Sequence, residues 1–393
     1  MKDFVKRIAR RVLRIVMYIM RICPIKENKI VFSNFKGKGM GDNPKYIALE
    51  LLEQDKKYDL VWLTSKKEVF PDEIRSVPIY SIRALLEMAT AKVWVDNFRK
   101  PAYISKRKNQ YYIQTWHGGI GLKKAEKDAL QSLGKEYENI AKRDSDMIDV
   151  FISNGTLRTN LYRTSYWYDG EILECGFPRN DRLVCPKGIN QSVREQLQIN
   201  EDTKVILYAP TFRDNHDMSC YLAEFEQVVT TFEQKYGGNW MMLLRFHPHV
   251  DSSKIKVRNR NQVIMATDYP DITELLQITD VLISDFSSLI FDYALKKKPI
   301  FLYATDYEKY VQNRGMRYTY DTLPFPYGFC INQLIEQIND FQEETYQVEL
   351  ETFMKTLLLH ETGHASEQIA SLIHHITYEK MDFQTAIEQV GKR

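Results

Sequence analysis

The chain has 393 residues, 44% hydrophobic and 12% aromatic, which is enough apolar surface for more than one core and too much for a disordered polymer. Its formal net charge of +2 is unevenly distributed: residues 1–26 hold eight Lys/Arg against Asp3, and the remainder holds 46 basic and 51 acidic residues. That balance excludes a broadly basic nucleic-acid binder, and five scattered cysteines with no Cys-x-x-Cys pair exclude a disulfide framework or a zinc knuckle.

The first 26 residues, MKDFVKRIARRVLRIVMYIMRICPIK, repeat apolar side chains at helical spacing. Val5, Ile8, Val12, Ile15, Val16 and Ile19 share one face, and Arg7, Arg10, Arg14 and Arg21 fall on the other. The uncharged run Ile15–Met20 is far shorter than the ~20 residues a membrane span needs, and arginines interrupt any signal-peptide pattern. The expectation is an amphipathic helix, residues 1–22, lying in the plane of an anionic membrane surface, each basic residue adding about 1 kcal/mol. The alternative is an ordinary helix packed on the body with its arginines in water.

From residue 27 onward, β-branched runs alternate with helical patterns. KIVFSN (29–34), LVWLTS (60–65), KVWVDN (92–97), YYIQTW (111–116) and VFISNG (150–155) read as buried strands, with helices over 45–54 and 81–91 between some of them. CGFPRND (175–181) reads as an inter-domain turn. A second series follows: KVILYAP (204–210), WMMLLRFHP (240–248), QVIMAT (262–267), DVLISD (280–285) and PIFLY (299–303), and then a helical, acidic tail. This is the rhythm of two doubly wound α/β domains, residues 27–180 and 181–393, with the ligand crevice expected where their strand ends face each other.

The polar tails of these strands carry the candidate chemistry. In QTWHGGIGLKK (114–124), Trp116 and His117 precede Gly118 and Gly119. A histidine there can take a proton near neutral pH, and glycine lets a ligand reach the backbone amides. YAPTFRD (208–214) offers Thr211 and Arg213 to a phosphate; RFHPHV (245–250) offers Arg245 and His247, with His249 a solvated loop residue. No third ligand accompanies the His-x-His pair, so no metal site is expected. Asp285, Ser287 and Ser288 close the strand in SDFSS (284–288), where serines either cap the following helix or bind an anion. Arg314 of NRG is a candidate phosphate clamp or a surface ion-pair member. GKGMG (37–41) lacks the dinucleotide-binding spacing and reads as a flexible, phosphate-touching loop, whereas Lys123 and Lys124 have no assigned role.

Taken in order, TWHGGIGLKK, YAPTFRD, RFHP, ISDFSSLIFDYALKKKPIFLY, NRG and TGHASEQI (362–369) resemble the CDP-glycerol:poly(glycerophosphate) glycerophosphotransferases, over roughly residues 28–370. The resemblance implies a GT-B-like fold with an acceptor-side first domain and a CDP-polyol-binding second domain. It also implies a peripheral enzyme on the cytoplasmic face of the cell membrane of Gram-positive bacteria. Such an enzyme moves glycerol or ribitol phosphate from CDP-glycerol or CDP-ribitol to an undecaprenyl-linked acceptor, releases CMP, and needs no further cofactor. His117 is then the general base, and His247, Ser287, Ser288 and Arg314 match positions that hold the donor pyrophosphate, with Asp285 near the nucleotide or the helix start. The chain departs from the family pattern at Gly119–Leu122 and around Glu361, His364, Ser366 and Glu367. A GT-B glycosyltransferase or epimerase and a non-catalytic nucleotide-binding membrane scaffold are the alternatives.

Overall fold

A computed structural model describes residues 2–391 apart from 55, 187–189, 214–217, 219–220, 222–223, 248–249, 251–254, 256, 258 and 260; His249 lies outside the described residues. The chain divides into two compact units, residues 1–117, 125–181 and 359–393 in the first and residues 118–124 and 182–358 in the second.

The first unit is built on a seven-stranded parallel sheet. Its strands are β1 (Lys26–Ser33), β2 (Asp59–Thr64), β3 (Ile74–Pro78), β4 (Ala91–Asp96), β5 (Tyr111–Gln114), β6 (Val150–Ser153) and β7 (Glu171–Glu174), in the order β3-β2-β1-β4-β5-β6-β7. Both faces are covered, which is why the strands are continuous apolar runs. Ile30 and Phe32 of β1 face one core with Ile47 and Leu51 of α2 (Asp42–Glu53), and Val31 faces the other with Trp94, Tyr112 and Met88. The second unit carries a six-stranded parallel sheet of β8 (Lys204–Tyr208), β9 (Trp240–Leu244), β10 (Val263–Met265), β11 (Val281–Ser284), β12 (Ile300–Tyr303) and β13 (Tyr327–Gly328), ordered β10-β9-β8-β11-β12-β13. Strand order reverses between β1 and β4 in one unit and between β8 and β11 in the other, so each has its own switch point, where ligands of such sheets bind.

The tail departs from expectation. Residues 359–393 do not close the second unit; they return to the first. The helices Ala365–Thr377 and Phe383–Gly391 lay Ile369, Ile373, Ile376, Ile387 and Val390 against the β1 face that α2 also covers. Two carboxylates fasten this return. Asp181 accepts the backbone N–H groups of Ala365 at 3.0 Å and Ser366 at 2.7 Å, satisfying a helix start. Glu361 accepts Phe177 N–H at 3.0 Å and Asn180 Nδ2 at 2.7 Å. The CGFPRND and TGHASEQI motifs are therefore two halves of one clasp.

The N-terminal helix α1 (Lys2–Ile19) is present and has two apolar stripes rather than one. Met17 is fully buried, with Leu13, Val16 and Met20 packed beside it on the body. Ile8, Val12, Ile15, Ile19 and Ile22 form a separate stripe that faces outward, with Ile15 60% and Ile22 86% exposed. The arginines divide in the same way. Arg10 pairs with Glu136 at 2.6 Å, Arg14 donates to the Ala102 carbonyl at 2.9 Å, and Arg21 donates to Ser105. Those three dock the helix, which the sequence pattern had assigned to the polar face; Arg7 and Arg11 stay exposed.

Candidate active site

Strand β5 ends at Gln114 because the backbone turns there. The Gln114 side chain accepts Trp116 N–H at 2.9 Å, and Trp116 takes a left-handed φ of 54°. A bulky residue pays a strain cost in that region, and such outliers cluster at functional sites. The Trp116 ring, read from the sequence as a substrate contact, is turned inward: it is 7% exposed, with Tyr166 edge-on at 4.9 Å and the Arg99 guanidinium 5.3 Å from it. It forms a wall on which the imidazole of His117 stacks at 4.7 Å.

Three rings hold that imidazole: Trp116, Phe98 stacked at 5.4 Å, and Phe35 tilted at 5.0 Å. His117 Nδ1 lies 2.7 Å from the Asn97 carbonyl oxygen. A carbonyl only accepts, so Nδ1 carries the hydrogen and the Nε2 lone pair is left to act as a base. Nε2 has no partner among the described residues. Burial lowers the imidazole pKa below its ordinary value, and the charges of Arg158 and Arg179 act in the same direction. The Asn97 carbonyl and Asp42 oppose them. The ring is therefore neutral at neutral pH.

Asn97 is fixed in turn. Its side chain accepts Phe35 N–H at 2.8 Å and donates to Asn34 Oδ1 at 2.7 Å, which ties the ends of β4 and β1 together. The next residue but one, Arg99, braces the same loop from below through Glu126 at 2.8 Å, Asp144 at 3.3 Å and Ser145 Oγ at 2.7 Å. None of Asn34, Phe35, Asn97, Phe98 or Arg99 was selected from the sequence. The strand KVWVDN ends on one of them, but a backbone carbonyl that orients a histidine leaves no residue signature.

In the second unit, Asp285 is turned inward. It accepts Thr211 N–H at 2.8 Å and Phe286 N–H at 2.6 Å, and its other oxygen pairs with Arg213 at 2.9 Å. Arg213 also bonds Asp306 at 2.7 and 2.9 Å and the Thr211 carbonyl at 2.7 Å, beside the stacked rings of Phe286 and Tyr310. Arg213 and Asp285 were read as ligand groups; the structure makes them an internal strut joining the β8 and β11 ends. Arg245 likewise donates to the carbonyls of Ala266 and Thr267. His247 packs against Phe212 at 5.1 Å. Arg314 is the last residue of the helix Tyr307–Arg314, and its side chain lies outside the described residues.

Hydroxyls remain at this switch point. The Thr211 Oγ1 is buried with no hydrogen-bond partner among the described residues. Ser287 Oγ accepts Leu289 N–H at 3.3 Å and so caps the short helix Leu289–Ala294, whereas Ser288 makes no side-chain cap bond. A Cβ built on Gly118 would stand 3.7 Å from Ser288 Oγ. The rest of that glycine segment is anchored in the second unit. Leu122 O accepts Arg317 N–H at 2.7 Å, Lys123 bridges Met316, and the Lys123 ammonium lies 5.5 Å from the Tyr310 ring. The one motif thus places its histidine in the first unit and residues 118–124 in the second.

Two Rossmann-like parallel sheets, one with an oriented neutral histidine at its strand ends and one with unengaged hydroxyls, define a GT-B-like transferase. The family described as CDP-Glycerol:Poly(glycerophosphate) glycerophosphotransferase matches residues 15–375, and the chain belongs to it. It is 33% identical over 372 residues to a teichoic acid poly(glycerol phosphate) polymerase of Staphylococcus epidermidis, covering 89% of this chain and 51% of that protein. It is 32% identical to one of Bacillus spizizenii, covering 91% and 95%. The chain thus spans about half of the first relative and nearly all of the second. Relatives named for ribitol phosphate match at 25–28% identity. A solved structure of the wall teichoic acid polymerase TagF superposes with a TM-score of 0.84 at 31% identity, covering 96% of this chain and 97% of that one. A putative UDP-N-acetylglucosamine 2-epimerase from Listeria monocytogenes shares the fold alone, with a TM-score of 0.53 at 16% identity.

Proposed function

We infer that the protein moves glycerol phosphate from CDP-glycerol to the hydroxyl of a lipid-linked acceptor in teichoic acid synthesis. The observation that carries this reading is the His117 imidazole, fixed by Asn97 with Nε2 open. Nε2 takes the acceptor's hydroxyl proton as that oxygen attacks the β-phosphorus. The bond from the β-phosphorus to the bridging oxygen breaks, and CMP leaves with the electron pair. A neutral base suits this step, because a charged imidazole has no lone pair at Nε2. Ser288, the amides beside Gly118 and the orphaned Thr211 hydroxyl are the donor-phosphate contacts in the second unit, and His247 and Arg314 complete the set implied by family membership. Positioning and charge stabilisation do most of the remaining work in such displacements. No metal or further cofactor enters this chemistry, and transfer that stopped with chelator would revise that point.

The outward stripe of α1 supports attachment to a membrane surface on the cytoplasmic side. Five aliphatic side chains face away from the body beside Arg7 and Arg11, and no described helix is long and apolar enough to cross a membrane. Incubation with CDP-glycerol, CDP-ribitol and UDP-sugars, following CMP or UDP release in the presence of a primed lipid acceptor, tests the reading. CMP release from CDP-glycerol is expected; UDP release, or no CMP with any acceptor, overturns it. Deletion of residues 1–22 should lower binding to anionic liposomes, and retained binding would remove the role of α1.

A further inference from the structure

The loop after β1 supplies the Phe35 ring beside His117, and it is held in an unusual conformation from there to Gly39. Phe35 and Lys36 have φ of 43° and 59°, followed by Gly37 at 87° and Gly39 at 110°. Non-glycine residues rarely adopt left-handed φ, and two in succession require a surrounding structure that enforces them. That structure is present. Asn34 O accepts the N–H groups of Gly37 and Lys38 at 2.8 and 2.9 Å, and Asn34 Nδ2 donates to Gly39 O at 3.1 Å. Gly37 O receives Ser65 N–H at 2.7 Å and Ser65 Oγ at 2.8 Å. Neither glycine admits a side chain: a Cβ on Gly37 would lie 2.9 Å from Ile79, and one on Gly39 would collide with the Glu68 carboxylate. The loop read from sequence as flexible is therefore firmly built.

Its product is the placement of one ammonium group. Lys36 is exposed, and its Nζ lies 4.4 Å from the centroid of Phe98, the ring that stacks on His117. The Asn34–Asn97 bond ties this loop to the carbonyl that orients the base. Lysine and base are thus held by the same two asparagines and the same phenylalanine.

We propose that Lys36 binds an anionic phosphodiester of the acceptor, one polyol behind the hydroxyl that His117 deprotonates. The inference rests on the transferase reading, since transfer of glycerol phosphate leaves each new terminal hydroxyl three carbons from a phosphodiester. A lysine ammonium acts there as a point charge on a phosphate oxygen. The protein would then select acceptors that already end in a polyol phosphate over neutral alcohols.

The test compares two lipid-free acceptor analogues with the full-length protein, one ending in glycerol phosphate and one in a neutral glycerol. Lys36→Ala is expected to raise KM for the phosphorylated analogue about tenfold or more, the scale of a hydrogen bond to a charged group. KM for CDP-glycerol and for the neutral analogue should stay unchanged, and Lys36→Arg should restore most of the loss. Equal KM for the phosphorylated acceptor, an effect on donor KM, or equal losses with both analogues overturns the assignment. Titration of the phosphorylated analogue into wild type and Lys36→Ala reads the same contact without turnover. Wild type that binds the analogue but releases no CMP would therefore count against the transferase reading and not against Lys36.

Discussion

The strand ends of the two units use charged and polar side chains in opposite ways. In the first unit the His117 ring is engaged, among the described residues, on every side except at the atom proposed to act as the base. The ring is stacked, its Nδ1 is bonded to Asn97, and Nε2 is open. In the second unit the charges are engaged with one another. Arg213 closes on Asp285 and Asp306, and what is left open are the hydroxyls of Thr211 and Ser288. A charge at a strand end is thus a poor guide to a ligand site, because a buried strut and a phosphate clamp both require arginine.

The comparison is broken most directly by removing the base. His117→Ala is expected to lower kcat about a hundred- to ten-thousandfold, the contribution of a positioned general base, as followed by CMP release. Unchanged turnover would remove His117 from the chemistry. Next is the brace beneath it. Arg99, Glu126 and Asp144 are all buried, and burial raises the Asp144 pKa to about 6 even beside the guanidinium. Arg99→Ala strands two carboxylates, so urea unfolding should show a loss of about 3–5 kcal/mol. A helix cap in the second unit gives the smallest effect. Ser287→Ala removes a cap, at a cost of about 0.5–1 kcal/mol.

The pH dependence sharpens the same contrast. The imidazole pKa is lowered in the folded protein, so the base is more than half neutral at the ordinary histidine value of about 6.5. kcat/KM should therefore reach half of its plateau only below that value. An acid limb centred above it would contradict the burial of the ring.

Much of the fold was legible in the sequence. All ten expected strands are present, and three were missed: β3, β7 and β13, each at a sheet edge. Edge strands are covered on fewer sides. Ile74–Pro78 ends on a proline, and Glu171–Glu174 is apolar only at its centre, so neither shows the buried run that revealed the others. The candidate site was legible where the proposed role falls on a side chain, as at His117 and Ser288. It was not legible where the backbone acts, as at Asn97 O, or where partners distant in sequence decide a role. Asp306 makes Arg213 a strut from 93 residues away, and Asp181 captures the tail from 184 residues away.

The division between a base in the first unit and donor contacts in the second is tested by calorimetric titration of CDP-glycerol into His117→Ala and Ser288→Ala side by side. His117→Ala should bind the donor with the wild-type Kd, and Ser288→Ala should bind about three- to tenfold more weakly, as loss of a single hydrogen bond predicts. Donor binding lost in His117→Ala, or unchanged in Ser288→Ala, would contradict the account.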